Sequence, residues 1–198
     1  NIVMARNVIP HVKEIHSIVE GLSALVDATG MVVIEFHYAK TIAKELHYDS
    51  IYHEHLFYFS IRSLCKLFMQ YDLYPFDALE SPISGGSLVL FFSRGEAKPS
   101  MTLRELIKTE DLSGLNDLST WQRFGVESKK HAQSLKSIVV EYAQKGKLVA
   151  YGASARSSTL MNFAGISSQE IDCIIDRNPI KHELYTPGTN IPIISYEE

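Results

Sequence analysis

The fold is decided by the stretch Lys147-Leu148-Val149-Ala150-Tyr151-Gly152. It is followed directly by alanine and serine residues and one arginine, at positions 153–157. Apolar residues before a glycine predict a buried strand, and the glycine permits a sharp turn. Residues 158–164 then predict a short helix, and Ile171–Ile175 predicts the next strand. A strand, a helix and a second strand in this order form a crossover unit on a parallel sheet. The sequence therefore predicts the α/β class.

Working outward, a similar pattern occurs near the start of the chain. Apolar side chains recur at three- and four-residue steps over residues 12–26, which predicts an amphipathic helix that ends before Gly30. Met31–Phe36 predicts a buried strand, with residues 2–5 as its partner strand. Further strands are predicted at residues 73–76, 85–92 and 191–194, and further helices at residues 59–71 and 127–144.

The polar segment Ser93–Ser100 contains Gly95 and Pro99 and has the composition of a linker. We therefore predict two domains, residues 1–97 and residues 98–198. The chain begins with Asn1 and enters a strand-like run at once. We expect it to be a piece of a longer protein.

Composition excludes several classes of protein. The 198 residues carry 19 Lys and Arg against 23 Asp and Glu, a net charge of −4 without a basic stripe, which argues against a nucleic-acid partner. No apolar run approaches the roughly 18 residues that a membrane span needs, and no signal peptide is evident. Cys65 and Cys173 are too few for a four-cysteine zinc site. We expect a cytoplasmic protein with no membrane partner and no metal.

The densest cluster of chemically active side chains is Tyr52-His53-Glu54-His55. If the segment is extended, His53 and His55 share one face; if it is a turn, all four side chains can converge on one cleft. The pattern alone leaves three interpretations open. They are a solvated loop, a metal site that still needs a third ligand, and acid–base catalysis by histidine.

A second cluster lies just beyond the first predicted strand, where Asn7 and His11 follow it. Ligands of open α/β sheets bind beyond the carboxyl ends of the strands. Taken alone, however, Asn7 is expected to cap the following helix, with His11 on its surface. Glu35, near the end of the Met31 strand, is a further carboxylate in a site-like position. The other histidines have no evident partners: His16, His37, His47, His131 and His182.

The third cluster is the turn after the strand quoted first, with Gly152, Ser154, Arg156 and Ser157. Such a turn presents free backbone N–H groups to an anion, and the forked guanidinium suits phosphate. A plain helix N-cap explains the pattern equally well, because the full dinucleotide fingerprint and the Walker loop are both absent. Residues at the end of the next strand are candidates for contacts to a ribose or base: Asp176, Arg177 and Asn178.

Together these clusters resemble the sugar C-methyltransferases, S-adenosylmethionine-dependent enzymes that methylate C3 of nucleotide-linked 4-keto-deoxysugars. The motifs that carry the resemblance span nearly the whole chain. They are Ala5-Arg6-Asn7-Val8 with His11, Gly30 with Val33-Ile34-Glu35, Tyr52-His53-Glu54-His55 with Tyr58-Phe59-Ser60, Gly85-Gly86-Ser87-Leu88, Tyr151-Gly152-Ala153-Ser154-Ala155, Ile175-Asp176-Arg177-Asn178-Pro179 and Tyr185-Thr186-Pro187-Gly188-Thr189.

The resemblance implies that residues 1–97 are the C-terminal part of a Rossmann-like methyltransferase domain. Residues 98–198 would be a second Rossmann-like α/β domain that helps to hold a nucleotide-diphosphate sugar. The cofactor would be S-adenosylmethionine, but its glycine-rich loop does not occur in this sequence. We therefore expect the chain alone to be inactive. An exposed sheet edge at the start of the chain would favour a homodimer.

By the same resemblance His55 is the base that removes a proton next to the sugar ketone. Glu54 and Tyr52 would position the sugar or polarise its carbonyl, and His11 and Asn7 would line the same cleft. The family has a histidine and an arginine where this chain has Ser84 and Val89. If either position contacts the substrate, the sugar or its mode of binding differs here.

Two alternatives to this enzyme stay open. The chain could be a nucleotide-sugar-binding module with no turnover. A Rossmann-like oxidoreductase is also conceivable, because Asp172 and Asp176 lie about 20 residues beyond the Gly152 turn, near the spacing of a ribose-binding carboxylate.

Overall fold

The chain folds as a mixed α/β protein, which confirms the predicted class. The computed structural model describes residues 1–95 and 97–197. Within these residues the strands are β1 (Ile2–Arg6), β2 (Met31–His37), β3 (Leu73–Ser81), β4 (Ser87–Arg94), β5 (Val149–Tyr151), β6 (Cys173–Ile175) and β7 (Ile193–Ile194). The α-helices are α1 (Ile15–Leu25), α2 (Ala39–Lys44), α3 (Ile61–Met69), α4 (Met101–Leu112), α5 (Leu118–Ala143) and α6 (Ala155–Ala164).

The chain divides into two compact units. Unit 1 comprises Asn1–His47 and His53–Gln122, and unit 2 comprises Tyr48–Tyr52 and Arg123–Glu198. The sequence places a domain boundary between residues 97 and 98, and that assignment stays a prediction. The boundary between the two compact units lies later in the chain than the predicted domain boundary. The reason is that α4 packs into the core of unit 1, where its Leu103 is fully buried.

Unit 1 is built on a four-stranded sheet in the order β1-β2-β4-β3. β1 and β2 are parallel, with Ile2 opposite Met31 and Arg6 opposite Glu35, so the pairing predicted for residues 2–5 is confirmed. β4 runs antiparallel to both of its neighbours. The edge at which β1 and β2 end is therefore also the edge at which β4 begins. We call it the carboxyl edge.

One face of this sheet forms the core of unit 1. Strand side chains alternate between faces, and the core face carries fully buried residues such as Phe36 of β2 and Phe92 of β4. The ring of Phe68 from α3 stacks on Phe92, with 4.4 Å between the ring centroids. Buried residues of α1 cover the same face. The alternation places Glu35 and His37 on the opposite face.

Several element boundaries in unit 1 differ from the sequence predictions. α3 spans Ile61–Met69 instead of residues 59–71, and β4 spans Ser87–Arg94 instead of residues 85–92. α1 begins at Ile15 instead of residue 12, because Ile9–His11 form a short 3-10 helix that ends at an extended Val12. β3 continues to Ser81, past the predicted end at residue 76. Its Pro75 is tolerated because β3 is an edge strand and the pairing with β4 shifts between Pro75 and Asp77.

Two later helices begin earlier than predicted. α5 starts at Leu118 instead of residue 127, soon after a turn in which Gly114 has a φ of 63°. α6 starts at Ala155 instead of residue 158, because the Ser154 side chain caps it. Among the described residues no helix is long and apolar enough to cross a membrane.

Unit 2 contains a parallel three-stranded sheet in the order β5-β6-β7. α6 connects β5 to β6, which confirms the predicted crossover unit. Leu135 and Val139 of α5 pack against the core of this unit. Its buried residues are Met161, Ile166, Ile171, Ile174 and Ile191.

Candidate active site

The candidate site lies at the carboxyl edge of the unit 1 sheet. β1 ends there at Arg6 and β2 at His37, which lies opposite Ser87, the first residue of β4. The segments that follow β1 and β2 therefore leave the sheet side by side. This edge is where open α/β sheets bind their ligands.

Asn7 turns the chain out of the sheet after β1. Its φ of 52° lies in the left-handed region, which asparagine adopts more readily than most residues. Its amide donates to the carbonyl oxygen of Glu35 at 2.8 Å. The prediction that Asn7 caps a helix is wrong, because Val8 precedes the Ile9–His11 helix and no side chain caps that helix. Asn7 is a turn residue that extends the pairing of β1 with β2.

The Tyr52-His53-Glu54-His55 segment contains a turn at residues 53–54, as in the second predicted geometry, whereas convergence of all four side chains on one cleft stays a prediction. Backbone hydrogen bonds then hold the following residues against the carboxyl edge. The Leu56 amide donates to the Pro10 carbonyl oxygen at 2.9 Å, and the Ala39 amide donates to the Phe59 carbonyl oxygen at 3.0 Å. These bonds place residue 55 beside the short helix that carries His11.

His11 and His55 are in direct contact. Their ring centroids are 4.8 Å apart and the rings meet edge to face at 65°. The Tyr58 ring also contacts His55, with 6.4 Å between the ring centroids. His11 is exposed, whereas His55 and Tyr58 are half-buried. An imidazole with its orientation fixed by neighbours and its surface open to solvent can take a proton from a substrate and release it.

The rest of the predicted catalytic set is placed differently. Glu54 is exposed in the turn, as is His53. Tyr52 is half-buried and falls in unit 2, so it is described with that unit. The catalytic roles of Glu54 and Tyr52 stay predictions.

Glu35 is a buried carboxylate at the carboxyl edge, only 2% exposed. Its Oε2 accepts a hydrogen bond from Nε of Arg6 at 2.6 Å, and its Oε1 accepts one from the Ser81 hydroxyl at 3.0 Å. Both oxygens are thus engaged, and Glu35 holds its neighbours in place. No role was predicted for Arg6. The pairing of β1 with β2 could have identified it, because the parallel register sets Arg6 opposite Glu35.

His37 and His47 form a second histidine pair at this edge, where the sequence showed no evident partners. Nε2 of His37 lies 3.2 Å from Nδ1 of His47. The His47 ring packs against Gly85, where an added Cβ would lie 3.1 Å from its Cε1 atom. Gly85 also has a φ of 83°. A glycine is therefore required at position 85 on two grounds.

The remaining histidines also have polar partners. His16 Nδ1 lies 2.8 Å from the Tyr71 hydroxyl, and His131 Nδ1 lies 2.8 Å from the Tyr48 hydroxyl. His182 Nε2 lies 2.7 Å from the Asp176 carbonyl oxygen. Within residues 1–95 and 97–197, no group of three or more His, Cys, Asp or Glu side chains could hold a metal ion.

In unit 2 the predicted anion-binding turn is a well-formed helix cap. The Ser154 hydroxyl accepts from the Ser157 amide at 3.1 Å, and the Ser157 hydroxyl accepts from the Ser154 amide at 2.8 Å. Gly152 has a φ of 91°, and its amide donates to the Ile175 carbonyl oxygen at 2.8 Å. The cap was one of the two interpretations of this turn. Contacts of these residues with a nucleotide stay a prediction.

Arg156 is held by a carboxylate that the sequence analysis did not identify. Its Nε donates to Oδ2 of Asp49 at 2.7 Å, and its Nη2 donates to Oδ1 of the same residue at 3.1 Å. This is the two-pronged geometry that a guanidinium also uses toward phosphate. A phosphate at Arg156 would therefore have to share the guanidinium with Asp49.

Asp176 connects the turn after β5 with the end of β6. Its carboxylate accepts from the Ala153 amide at 2.7 Å, the Asn178 amide at 2.8 Å and the Lys181 ammonium at 3.2 Å. The Asn178 amide above all, together with the other two donors, holds the pKa of Asp176 below its ordinary value. The Asn178 side chain accepts from the Ile180 amide at 3.1 Å, and Arg177 is exposed. Ribose or base contacts by these three residues stay a prediction.

The turns that follow β1 and β2 lack the glycine-rich loop that would hold S-adenosylmethionine. A nucleotide-containing cofactor on an open α/β sheet sits over a glycine-rich turn between a strand and a helix. Here β1 is followed by Asn7-Val8-Ile9-Pro10, and β2 by Tyr38 and then α2. Neither turn contains a glycine, so no close approach of a ligand to the backbone is provided.

The chain is a mixed α/β protein in which His11 and His55 meet at the carboxyl edge of the unit 1 sheet, and comparison with known families gives its class. Residues 82–198 match the family described as the C-methyltransferase C-terminal domain. The chain therefore belongs to that family, and the predicted resemblance to C-methyltransferases is confirmed.

A particular relative extends the comparison over the whole chain. The sequence is similar to the C-methyltransferase NovU of Streptomyces niveus, with 31% identity over 202 residues. The match covers 100% of this chain and 48% of NovU. The chain thus spans about half the length of the curated relative that it matches.

Proposed function

We propose that this chain is the substrate half of an S-adenosylmethionine-dependent C-methyltransferase that acts on a nucleotide-linked keto-sugar. The observation that carries the proposal is the contact of His55 with His11 at the carboxyl edge, with ring centroids 4.8 Å apart. Membership of the C-methyltransferase C-terminal domain family supports the class of reaction.

C-methylation requires a carbon nucleophile, and His55 is the residue that we assign to generate it. A nitrogen of its imidazole takes the proton from the carbon next to the sugar ketone. The electron pair of that C–H bond then forms an enolate, with the negative charge on the former carbonyl oxygen. A histidine suits this role because its pKa lies close to neutral pH.

The neighbours of His55 support the assignment. His11 and Tyr58 pack on the ring, and the Leu56 amide is bonded to the Pro10 carbonyl oxygen, so the imidazole is held before substrate arrives. Preorganisation of this kind reduces the cost of orienting a base in the transition state. We assign Glu54 and Tyr52 to the sugar, and Asn7 to the wall of the cleft.

The methyl donor would be bound mainly by parts of the protein outside this chain. S-adenosylmethionine, when bound, supplies the methyl group, and the turns after β1 and β2 offer it no glycine-rich loop. We propose that the turn at Gly152 and the segment at Asp176 in unit 2 help to hold the nucleotide diphosphate. A cytoplasmic location and a homodimer belong to the same proposal.

The test uses the full-length protein and a thymidine-diphosphate-linked 4-keto-deoxysugar in D2O. We expect the wild type to incorporate deuterium next to the ketone and to transfer the methyl group. His55→Asn should abolish both reactions, because asparagine cannot accept the proton, and should leave the Kd for thymidine diphosphate within a few-fold. His53→Asn is the matched control, since this exposed imidazole lies in the same turn. Turnover by His55→Asn would refute the assignment of the base.

One observation favours a second candidate, a nucleotide-sugar-binding module without turnover. It is the lack of a glycine-rich turn after β1 and β2. Under this alternative the wild-type full-length protein binds thymidine diphosphate but incorporates no deuterium into the sugar.

A further inference from the structure

The geometry points to Arg6 as an oxyanion-binding residue of the site, a role that rests on the proposed function and adds a substrate contact to it. Arg6 is the last residue of β1 and immediately precedes Asn7 at the carboxyl edge. Its guanidinium would contact a negatively charged oxygen of the substrate through the Nη groups.

The Arg6 guanidinium is held through one of its nitrogens. Only Nε of Arg6 binds Glu35, at 2.6 Å. Within residues 1–95 and 97–197, the Arg6 side chain makes no other hydrogen bond or ion pair. The side chain is 56% exposed. A guanidinium fixed at Nε keeps two parallel N–H donors at its far end, which is the geometry that binds carboxylate and phosphate.

Arg104 of α4 also donates through Nε alone, to the Ser100 carbonyl oxygen at 3.3 Å, but three other arginines use their donors differently. Arg62 directs both Nε and Nη2 at Asp111, and Arg156 does the same at Asp49. Arg94 directs Nε and Nη2 at the carbonyl oxygens of Val26 and Ser23. In each of these the fork is used within the protein, whereas Arg6 leaves both Nη groups toward solvent at the candidate site.

The burial of Glu35, the carboxylate that holds Arg6, also supports a ligand-binding role for Arg6. Glu35 is 2% exposed, and burying a carboxylate is unfavourable unless it is paired and hydrogen-bonded. The pair adds little net stability, because the Arg6 side chain is 56% exposed and solvent screens the attraction. The Ser81 hydroxyl occupies the second oxygen of Glu35 and so fixes the carboxylate. An arrangement that gains little stability yet fixes a half-exposed guanidinium is expected where that guanidinium binds a ligand.

Two groups of the proposed substrate offer a negatively charged oxygen that Arg6 could contact. The diphosphate is anionic before the reaction, and the ketone oxygen becomes anionic as the enolate forms. A preorganised cationic donor stabilises either one. The two sources differ in their consequence: a contact with the diphosphate affects binding, and a contact with the enolate oxygen affects the rate of proton removal.

The test compares wild type, Arg6→Lys and Arg62→Lys in the full-length protein. Lysine keeps a positive charge for Glu35 but cannot form the two-pronged contact. Arg62 is the matched control, because its side chain is 57% exposed and it pairs with Asp111 on the helices that cover the core face. One arm titrates thymidine diphosphate by calorimetry, and the other measures deuterium incorporation into the thymidine-diphosphate-linked keto-sugar.

A tenfold or greater rise in the Kd of Arg6→Lys for thymidine diphosphate assigns the diphosphate. An unchanged Kd with a tenfold or greater fall in the exchange rate constant assigns the enolate oxygen. If both quantities stay within threefold of wild type, as expected for Arg62→Lys, the proposal is overturned. The double variant Arg6→Gln, Glu35→Gln removes both charges and keeps the test decisive if Arg6→Lys fails to fold.

Failure of this proposal is distinguishable from failure of the proposed function. The proposed base is refuted when His55→Asn still exchanges deuterium, whatever Arg6→Lys does. The Arg6 contact is refuted when His55→Asn is inactive but Arg6→Lys behaves as wild type in both arms.

Discussion

Asp176 shows how a residue predicted to contact a ligand can have its polar atoms engaged within the protein. Its carboxylate accepts from two backbone amides and from Lys181, and its side chain is largely buried. Hydrogen bonds to an ionised carboxylate favour the ionised form, which is why its pKa is lowered. The arrangement joins the turn after β5 to the segment after β6, so it has a structural consequence whether or not a nucleotide binds there.

We expect Asp176→Asn to lower the free energy of unfolding by about 1.5–3 kcal/mol at pH 7, the usual range for hydrogen bonds to a charged group. The folded-state pKa lies below the ordinary value of about 3.9, so the stabilisation is complete above about pH 5 and is lost as the pH falls through the folded-state pKa. Urea denaturation followed by circular dichroism at pH 7 and pH 3 measures both effects. Glu183→Gln, at an exposed side chain in unit 2, is the control.

At the scale of elements, Glu110 of α4 anchors the start of α3. Its side chain is fully buried and accepts from the Tyr38 hydroxyl at 2.9 Å, the Ile61 amide at 2.6 Å and the Arg62 amide at 3.1 Å. A carboxylate at a helix N-terminus satisfies amides that lack partners within the helix and is favoured by the helix dipole. Burial, followed by the charge and hydrogen bond of Glu110, raises the pKa of Tyr38. α4 therefore belongs to unit 1.

We expect Glu110→Gln to lower the free energy of unfolding of unit 1 by about 1–3 kcal/mol, because it replaces charge-assisted bonds and brings two donors into a site built for an acceptor. The single tryptophan, Trp121, packs against the core of this unit, so its fluorescence during urea denaturation reports the change. Glu105→Gln changes an exposed side chain of the same helix and should have little effect. Equal stabilities of the two variants would contradict the anchoring role.

At the scale of the whole molecule, the chain contains two compact units, each with its own buried core. Unit 1 carries the His11–His55 pair and the Arg6–Glu35 pair at the carboxyl edge of its sheet. Unit 2 carries the turn at Gly152 that we assign to the nucleotide. The chain spans about half of the relative that it matches, and its turns after β1 and β2 contain no glycine. Binding of the nucleotide and binding of the cofactor should therefore separate in this chain.

We expect this chain to bind thymidine diphosphate and not S-adenosylmethionine in calorimetric titrations. The physical reason is the difference between the turn at Gly152, where the missing side chain leaves the backbone open to a ligand, and the glycine-free turns after β1 and β2. Tight binding of S-adenosylmethionine would show that the cofactor fit has been misjudged. If neither ligand binds, the assignment of unit 2 to the nucleotide is contradicted.

The sequence by itself determined the α/β class, the pairing of β1 with β2 and the crossover from β5 through α6 to β6. These features depend on local periodicity and on glycine positions, which a short stretch of chain contains completely. It also determined family membership, because the motifs at Tyr52–His55 and Asp176–Asn178 are contiguous runs that can be compared residue by residue.

Only the tertiary structure decided which side chains meet. His11 contacts His55, Arg6 binds Glu35, and His37 lies against His47 through the order of strands and the loops that return to the carboxyl edge. The start of α1 and the cap of α6 were likewise decided by hydrogen bonds that compete with helix periodicity. Contacts between residues far apart in the chain depend on packing of the whole unit, and no local pattern encodes that packing.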